Sequence, residues 1–143
     1  MKTDILKIYA ILTMTIDHIG QSLYSENIAF VVIGRLAFPL FCHQLAAGYI
    51  ISSDRKKMIN LIFLYAFLSQ YFYYNLWNLN QLNILFTLGF GLLVIEYRKT
   101  NFLYVLIFLL ALLEMYQLLS YGFIGVVMPY IFFSHFAGIL AKR

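Results

Sequence analysis

The sequence predicts an all-α protein, a polytopic membrane bundle of about six transmembrane helices with both termini in the cytoplasm. Of 143 residues, 63% are hydrophobic and only 11% charged, and the mean hydropathy is +0.83, a make-up outside the range of ordinary soluble domains. The apolar residues fall into six runs: Ile5 to Tyr24, Ile28 to Ile51, Met58 to Tyr74, Leu82 to Tyr97, Phe102 to Leu119 and Phe123 to Ala141. Short polar or glycine-containing breaks separate them, at Ser25-Glu26-Asn27, Ser52 to Lys57, Asn75 to Gln81, Arg98 to Asn101 and Ser120 to Gly122. The lengths leave no room for a second, soluble unit, so residues 1–143 are read as one integral-membrane domain.

The first run is long enough to cross ~30 Å of hydrocarbon, yet Asp17 and His18 stand in its interior. Lys2 and Lys7 before it imitate a secretory signal, but an acid and an imidazole within a run of this length identify an uncleaved span. In the second run Arg35, Pro39 and His43 recur at i, i+4 and i+8 and share one helix face. Pro39 cannot donate to the Arg35 carbonyl, which predicts a kink and a carbonyl seeking another partner. Gly34 and Ala37, with Ala46, Ala47 and Gly48, permit close helix approach.

The third run carries Gln70, and Tyr71, Tyr73, Tyr74 and Trp77 near its end read as an external aromatic belt. The fourth opens with Asn83, Thr87 and Gly91 on one small, polar face, suited to a packing seam or the lining of a ligand channel. Glu114 lies in the fifth run and His135 in the sixth. The single cysteine, Cys42, excludes an intrachain disulfide and reads as a small apolar filler.

Charge sets the orientation. Lys2 and Lys7, Arg55-Lys56-Lys57, Arg98-Lys99 and Lys142-Arg143 occupy alternate ends of the runs, and the remaining connections hold no Lys or Arg. All positive clusters thus fall on one side, the cytoplasmic one. The same placement explains the net charge of +4 and removes the need for a nucleic-acid partner.

Depth then follows from ~1.5 Å of rise per residue. Asp17, His18, Arg35, Gln70 and Glu114 form an expected outer tier, and His43 and His135 an inner tier nearer the cytoplasm. Ionisable groups in apolar helices are costly and usually face a protein interior or a wet cavity where they serve function. Asp17 and His18 are ~100° apart around a helix, so one can face Arg35 while the other faces a reactive centre. An imidazole beside a carboxylate suits general-base chemistry near neutral pH. A bland reading also stands, in which Asp17 and Arg35 neutralise each other as an ion pair holding the bundle together. A metal site is not expected, since the histidines show no paired ligand spacing.

Met14-Thr15-Ile16-Asp17-His18-Ile19-Gly20, Gly34-Arg35-Leu36-Ala37-Phe38-Pro39-Leu40-Phe41, Ser69-Gln70, Leu82-Asn83-Ile84-Leu85-Phe86-Thr87-Leu88 and Tyr121-Gly122-Phe123-Ile124-Gly125-Val126 follow one another along nearly the whole chain. In order and rough spacing they resemble the successive blocks of the TraX family, although Ser120 stands where an acidic residue is expected. The resemblance implies an integral protein of the bacterial inner membrane that N-acetylates the N-terminal amine of a pilin subunit with acetyl-CoA.

On that expectation His18 is the general base, Asp17 orients or charge-balances it, and Arg35 holds the thioester carbonyl. Arg55, Lys56 and Lys57, with Arg98 and Lys99, attract the CoA phosphates. His43, Gln70, Asn83, Glu114 and His135 line the passage for donor and acceptor. The expected partners are acetyl-CoA, a pilin-like or peptide acceptor, the lipid bilayer and, as an option, further copies of the chain. The competing class is a small membrane transporter or immunity-type binding protein whose buried His, Asp and Arg form a proton relay.

Overall fold

A computed structural model describes residues 2–23, 28–77 and 80–142. The Ser25-Glu26-Asn27 connection, Arg143 and the side chains of Lys2 and Trp77 lie outside the described residues. The elements are α1 (Lys2–Leu23), α2 (Ile28–Arg35), α3 (Ala37–Ile51), α4 (Arg55–Trp77), α5 (Ile84–Tyr97), α6 (Phe102–Met115) and α7 (Gly122–Ala141). They correspond to the six expected runs, with the second divided in two. No strand occurs among the described residues, whose only β feature is an isolated bridge between Leu82 and Leu119.

Among the described residues, Ile28–Ile51 and Gly122–Ala141 are the two helices both long and apolar enough to cross a membrane. At 14 residues each, α5 and α6 reach ~21 Å, short of a ~30 Å core. The fifth run also ends its helix at Met115 and not at Leu119, because Gln117 adopts a left-handed backbone (φ 52°) that reverses the chain.

The chain falls into two compact units, Met1–Leu45 and Ala46–Arg143. In the first, α1 and α2 pack as an antiparallel pair, with Gly20 against Phe30 and Gly34 against Asp17. The expected disturbance by Pro39 is visible as the break at Leu36, whose N–H bonds back to Ile33 O at 3.1 Å, a tighter turn than α-helix. Pro39 thereby falls in the first turn of α3, where a missing N–H costs little.

The second unit is built around α5. Phe86, Leu88, Leu92 and Ile95 are buried on it, and it packs on α4 and α7 and more lightly on α6. Gly89 receives the Phe63 ring of α4, and Gly91 receives Pro129 and the Val126 carbonyl of α7, so the expected seam role of Gly91 is realised. Phe63, Phe67, Phe86 and Phe90 meet edge-to-face between α4 and α5. Leu106, Leu110, Leu119 and Val126 form a smaller core beneath α6.

Contacts fix the directions. Phe63 lies near Gly89 while Ala66 and Ser69 meet Asn83, so α4 and α5 are antiparallel. Thr87 meets Ser120, Gly91 meets Val126, and Arg98 lies over Phe133, so α5 and α7 run in the same direction. The ends of α3 and α5, the start of α4 and the later turns of α7 therefore share one end of this unit. The 80–83 and 117–122 segments share the other.

Candidate functional site

In the first unit the site is assembled on the α1–α2 pair. The Asp17 side chain is half-buried and rests directly on Gly34, where a Cβ would collide with its carboxylate. Glycine at 34 is thus what lets an acid of α1 reach the backbone of α2 immediately before Arg35. His18 and Arg35 are exposed, and His43 is half-buried two turns further along the second run. The free thiol Cys42, next to His43, is fully buried, as a small filler should be.

In the second unit three predicted residues gather at the 80–83/117–122 end. Gln70 accepts from the Asn83 N–H at 2.8 Å and donates to Gln81 O at 2.9 Å. Asn83, 4% exposed, caps α5 by accepting from the Leu85 N–H and donates to Ala66 O at 2.8 Å and Ser69 Oγ at 3.1 Å. Thr87 donates to Ser120 O, and Ser120 in turn donates to Leu82 O. Ser120, where an acidic residue was expected, therefore satisfies a backbone carbonyl. Glu114 stands in the last turn of α6, exposed, with its carboxylate against Gly122 at the start of α7. That position favours a negative charge, because the first N–H groups of a helix carry partial positive charge. Its place at a helix end, and not within a helix as the outer tier assumed, follows from the early end of α6.

At the opposite end lies a group that the sequence analysis did not single out. Tyr49, 1% exposed, donates its phenolic hydrogen to Glu96 Oε2. The Arg55 guanidinium lies 5.0 Å from the Tyr49 ring centre, and that ring meets Phe133 edge-on at 5.8 Å. Arg98 covers Phe133 at 4.7 Å and donates to Ile95 O at 2.6 Å. Both arginines are thus seated on touching aromatic rings. The available signal was Glu96, the acid of the fourth run, two residues before Arg98.

Arg55, Lys56 and Lys57 are exposed in the first turn of α4, which Asp54 caps by accepting from the Lys57 N–H at 2.9 Å. A shallow open groove of about 500 Å³, lined by Ser52, Asp54, Lys57, Met58 and Tyr65 among others, runs beside it. His135 is exposed on α7 with its ring beside Phe136. Tyr71 and Tyr74 of the expected belt are exposed and Tyr73 is half-buried. No group of three or more His, Cys, Asp or Glu able to hold a metal occurs among the described residues.

Much of the remaining surface is apolar. Leu64, Phe67, Leu68 and Phe72 of α4 and Val105, Phe108 and Leu109 of α6 are all exposed. Such coverage exceeds the isolated apolar patches of soluble monomers.

A family model described as TraX protein matches residues 2–142. One stretch of 46 residues, 32% of this chain and 18% of the relative, is 52% identical to Uncharacterized protein RP591 of Rickettsia prowazekii (strain Madrid E). Over 112 residues, 67% of this chain and 46% of the relative, the chain is 27% identical to Probable fimbrial assembly protein FimC, serogroup H1, of Dichelobacter nodosus. The chain spans less than half the length of either of these curated relatives. No solved structure matches it.

Proposed function

The chain belongs to the TraX family, and from that premise we propose that it is a multi-pass protein of the bacterial inner membrane that moves acetyl from cytosolic acetyl-CoA to the N-terminal amine of a pilin-like protein or peptide. The broad exposed apolar surface supports the membrane placement, and the likeness to a relative named for fimbrial assembly supports a pilus-related acceptor. In the bilayer α5 and α6 would be covered at their ends by neighbouring polar segments or by local thinning.

The observation that supports the reading is the seat of Asp17 on Gly34 at the α1–α2 crossing. His18 follows Asp17 and Arg35 follows Gly34 in sequence, so the three groups leave the backbone at neighbouring positions of that crossing. In the proposed reaction the acceptor nitrogen attacks the thioester carbonyl carbon and loses a proton to His18. Arg35 stabilises the oxyanion that develops on the carbonyl oxygen, and Asp17 stabilises the imidazolium. Collapse expels the CoA thiolate, which recovers the proton and leaves as free thiol.

The test is transfer from acetyl-CoA to a short peptide by the detergent-purified protein, read by mass spectrometry. A mass gain of one acetyl group at the peptide N-terminus, lost in His18→Ala at unchanged thermal stability, supports the reading. Full transfer by His18→Ala overturns the catalytic assignment. Absence of transfer in folded wild-type protein, with proton-coupled uptake in its place, would favour the transporter class.

A further inference from the structure

We propose that Arg55 and Arg98 form a two-guanidinium clamp for a phosphate-bearing ligand, and that Tyr49 and Glu96 are the positioning residues that hold it in shape. In naming the CoA nucleotide as the ligand, the proposal rests on the acetyltransferase reading; the clamp itself rests on geometry.

A topological account alone explains why cations lie at this end, but not how they are held. Positive-inside charges need only be somewhere in the connection. Here each guanidinium is instead placed on an aromatic face, Arg55 on Tyr49 and Arg98 on Phe133, and the two rings touch edge-to-face at 5.8 Å. Residues from α3, α4, α5 and α7 are required to build this, which is a large convergence for solvated surface charge.

The nearby acids make hydrogen bonds to other groups. Glu96 accepts from Tyr49 and Asp54 accepts from the Lys57 N–H, and among the described residues neither forms an ion pair with Arg55 or Arg98. A guanidinium held over a ring can still direct N–H donors at an anion, in the fork geometry that fits phosphate oxygens. Arg98 spends one such donor on Ile95 O, and Arg55 spends none on the described residues. Lys56, Lys57 and Lys99 are exposed in the flanking sequence and strengthen the local attraction for a polyanion.

Tyr49 is the pivot. Its buried ring supports Arg55 and meets Phe133, while its hydroxyl is tied to Glu96, so that one hydrogen bond holds the seat of Arg55 against the seat of Arg98. Removing the hydroxyl leaves the ring but frees its orientation.

Two sources supply phosphate at a cytoplasmic membrane face: a soluble nucleotide and an anionic lipid headgroup. Wild-type protein, the Arg55→Gln/Arg98→Gln double variant, Tyr49→Phe and Glu96→Gln are placed in nanodiscs of neutral phosphatidylcholine, and binding of adenosine 3′,5′-bisphosphate is titrated. Retention of phosphatidylglycerol from mixed micelles is followed in parallel by native mass spectrometry. Bisphosphate binding that weakens ~10-fold or more in the double variant, and by a smaller factor in Tyr49→Phe and Glu96→Gln, supports the clamp with a nucleotide ligand. Phosphatidylglycerol retention lost in the double variant, without bisphosphate binding, supports the clamp with a lipid ligand. Equal behaviour of wild type and the double variant toward both probes, at matched melting temperatures, overturns it.

Where acetyl transfer is measurable, the clamp further requires the double variant to raise KM for acetyl-CoA while kcat holds. Unchanged KM would overturn the nucleotide clamp with the acetyltransferase reading intact. Absence of transfer in wild type would count against that reading alone, since the two binding experiments decide the clamp without it.

Discussion

The Asp17 carboxylate occupies the space that a side chain on Gly34 would need. Two helices can approach this closely only where one of them lacks a Cβ, and the acid is thereby delivered to the α2 backbone beside Arg35. Gly34→Ala should separate α1 from α2 or drive Asp17 into another rotamer, at a cost of ~1–3 kcal/mol. Gly138 offers the control, because nothing lies within 4 Å of a Cβ built there. Gly138→Ala should be neutral or stabilise by up to ~1 kcal/mol through helix propensity. Thermal unfolding of both variants in one detergent checks the contrast; equal destabilisation would show that Gly34 is not a contact position.

Asn83 combines four roles in one buried side chain and backbone: cap of α5, donor to Ala66 O, donor to Ser69 Oγ and donor to Gln70 Oε1. Asn83→Ala removes the cap and leaves the Ala66 carbonyl without its side-chain partner, an expected loss of ~2–4 kcal/mol. Asn83→Asp keeps the cap acceptor but presents a second acceptor where Ala66 O needs a donor, so it should recover only part of that loss. A melting series of wild type, Asp and Ala variants in that order of stability is the expected result. An Ala variant as stable as wild type would assign this network to something other than fold.

The helix order and most helix bounds were legible in the sequence because the breaks carry their own chemistry. Asp54 and Asn83 cap α4 and α5, Pro39 places the break at Leu36, and the 120–122 segment turns the chain into α7. The end of α6 was not legible, since Tyr116 to Leu119 continue an apolar pattern, and it is a left-handed Gln117 that stops the helix. Glu114 moved from mid-helix to helix end for that reason alone. Of the site, the contact of Gln70 with Asn83 was not legible, because Gln70 was expected about ten ångströms deep and Asn83 at the mouth of the fourth run, and only the antiparallel packing of α4 on α5 brings them together. Nor was the Tyr49–Glu96 bond, because a tyrosine among so many reads as generic aromatic packing, and only the convergence of α3 with α5 makes it a partner for an acid.

Gln117 and Tyr121 are non-glycine residues with φ of 52° and 64°, a conformation costing ~1–2 kcal/mol for an L side chain. Gln117 is exposed and Tyr121 half-buried, so Gln117→Gly should relieve strain and stabilise by up to ~1 kcal/mol. Gly122→Ala acts in the opposite sense, since its φ of 58° is already left-handed and a Cβ would come within 2.7 Å of Glu114 Oε1. It should destabilise by ~1–3 kcal/mol, and Glu114→Ala should recover part of that loss by clearing the contact. Failure of the double variant to recover would place the whole cost in the backbone.

The two ends of the second unit should lie on opposite faces of the membrane. Asn80 is exposed at the end that carries no Lys or Arg in its connections, and Lys99 is exposed at the end that holds Arg55 and Arg98. Cys42, fully buried, gives little background to thiol reagents, and Cys42→Ala removes what remains. In that background Asn80→Cys should react with a membrane-impermeant maleimide from the outside of intact cells, and Lys99→Cys only after the membrane is opened. The positive-inside rule requires this direction, because cations left on the outer face would have had to cross the bilayer during insertion. The reverse pattern would invert the orientation and put the Arg55–Arg98 pair out of reach of cytosolic nucleotides. Labelling of both positions from one side would mean that α4 and α5 return without crossing, as a re-entrant hairpin held in the bilayer by α7 and the Ile28–Ile51 span.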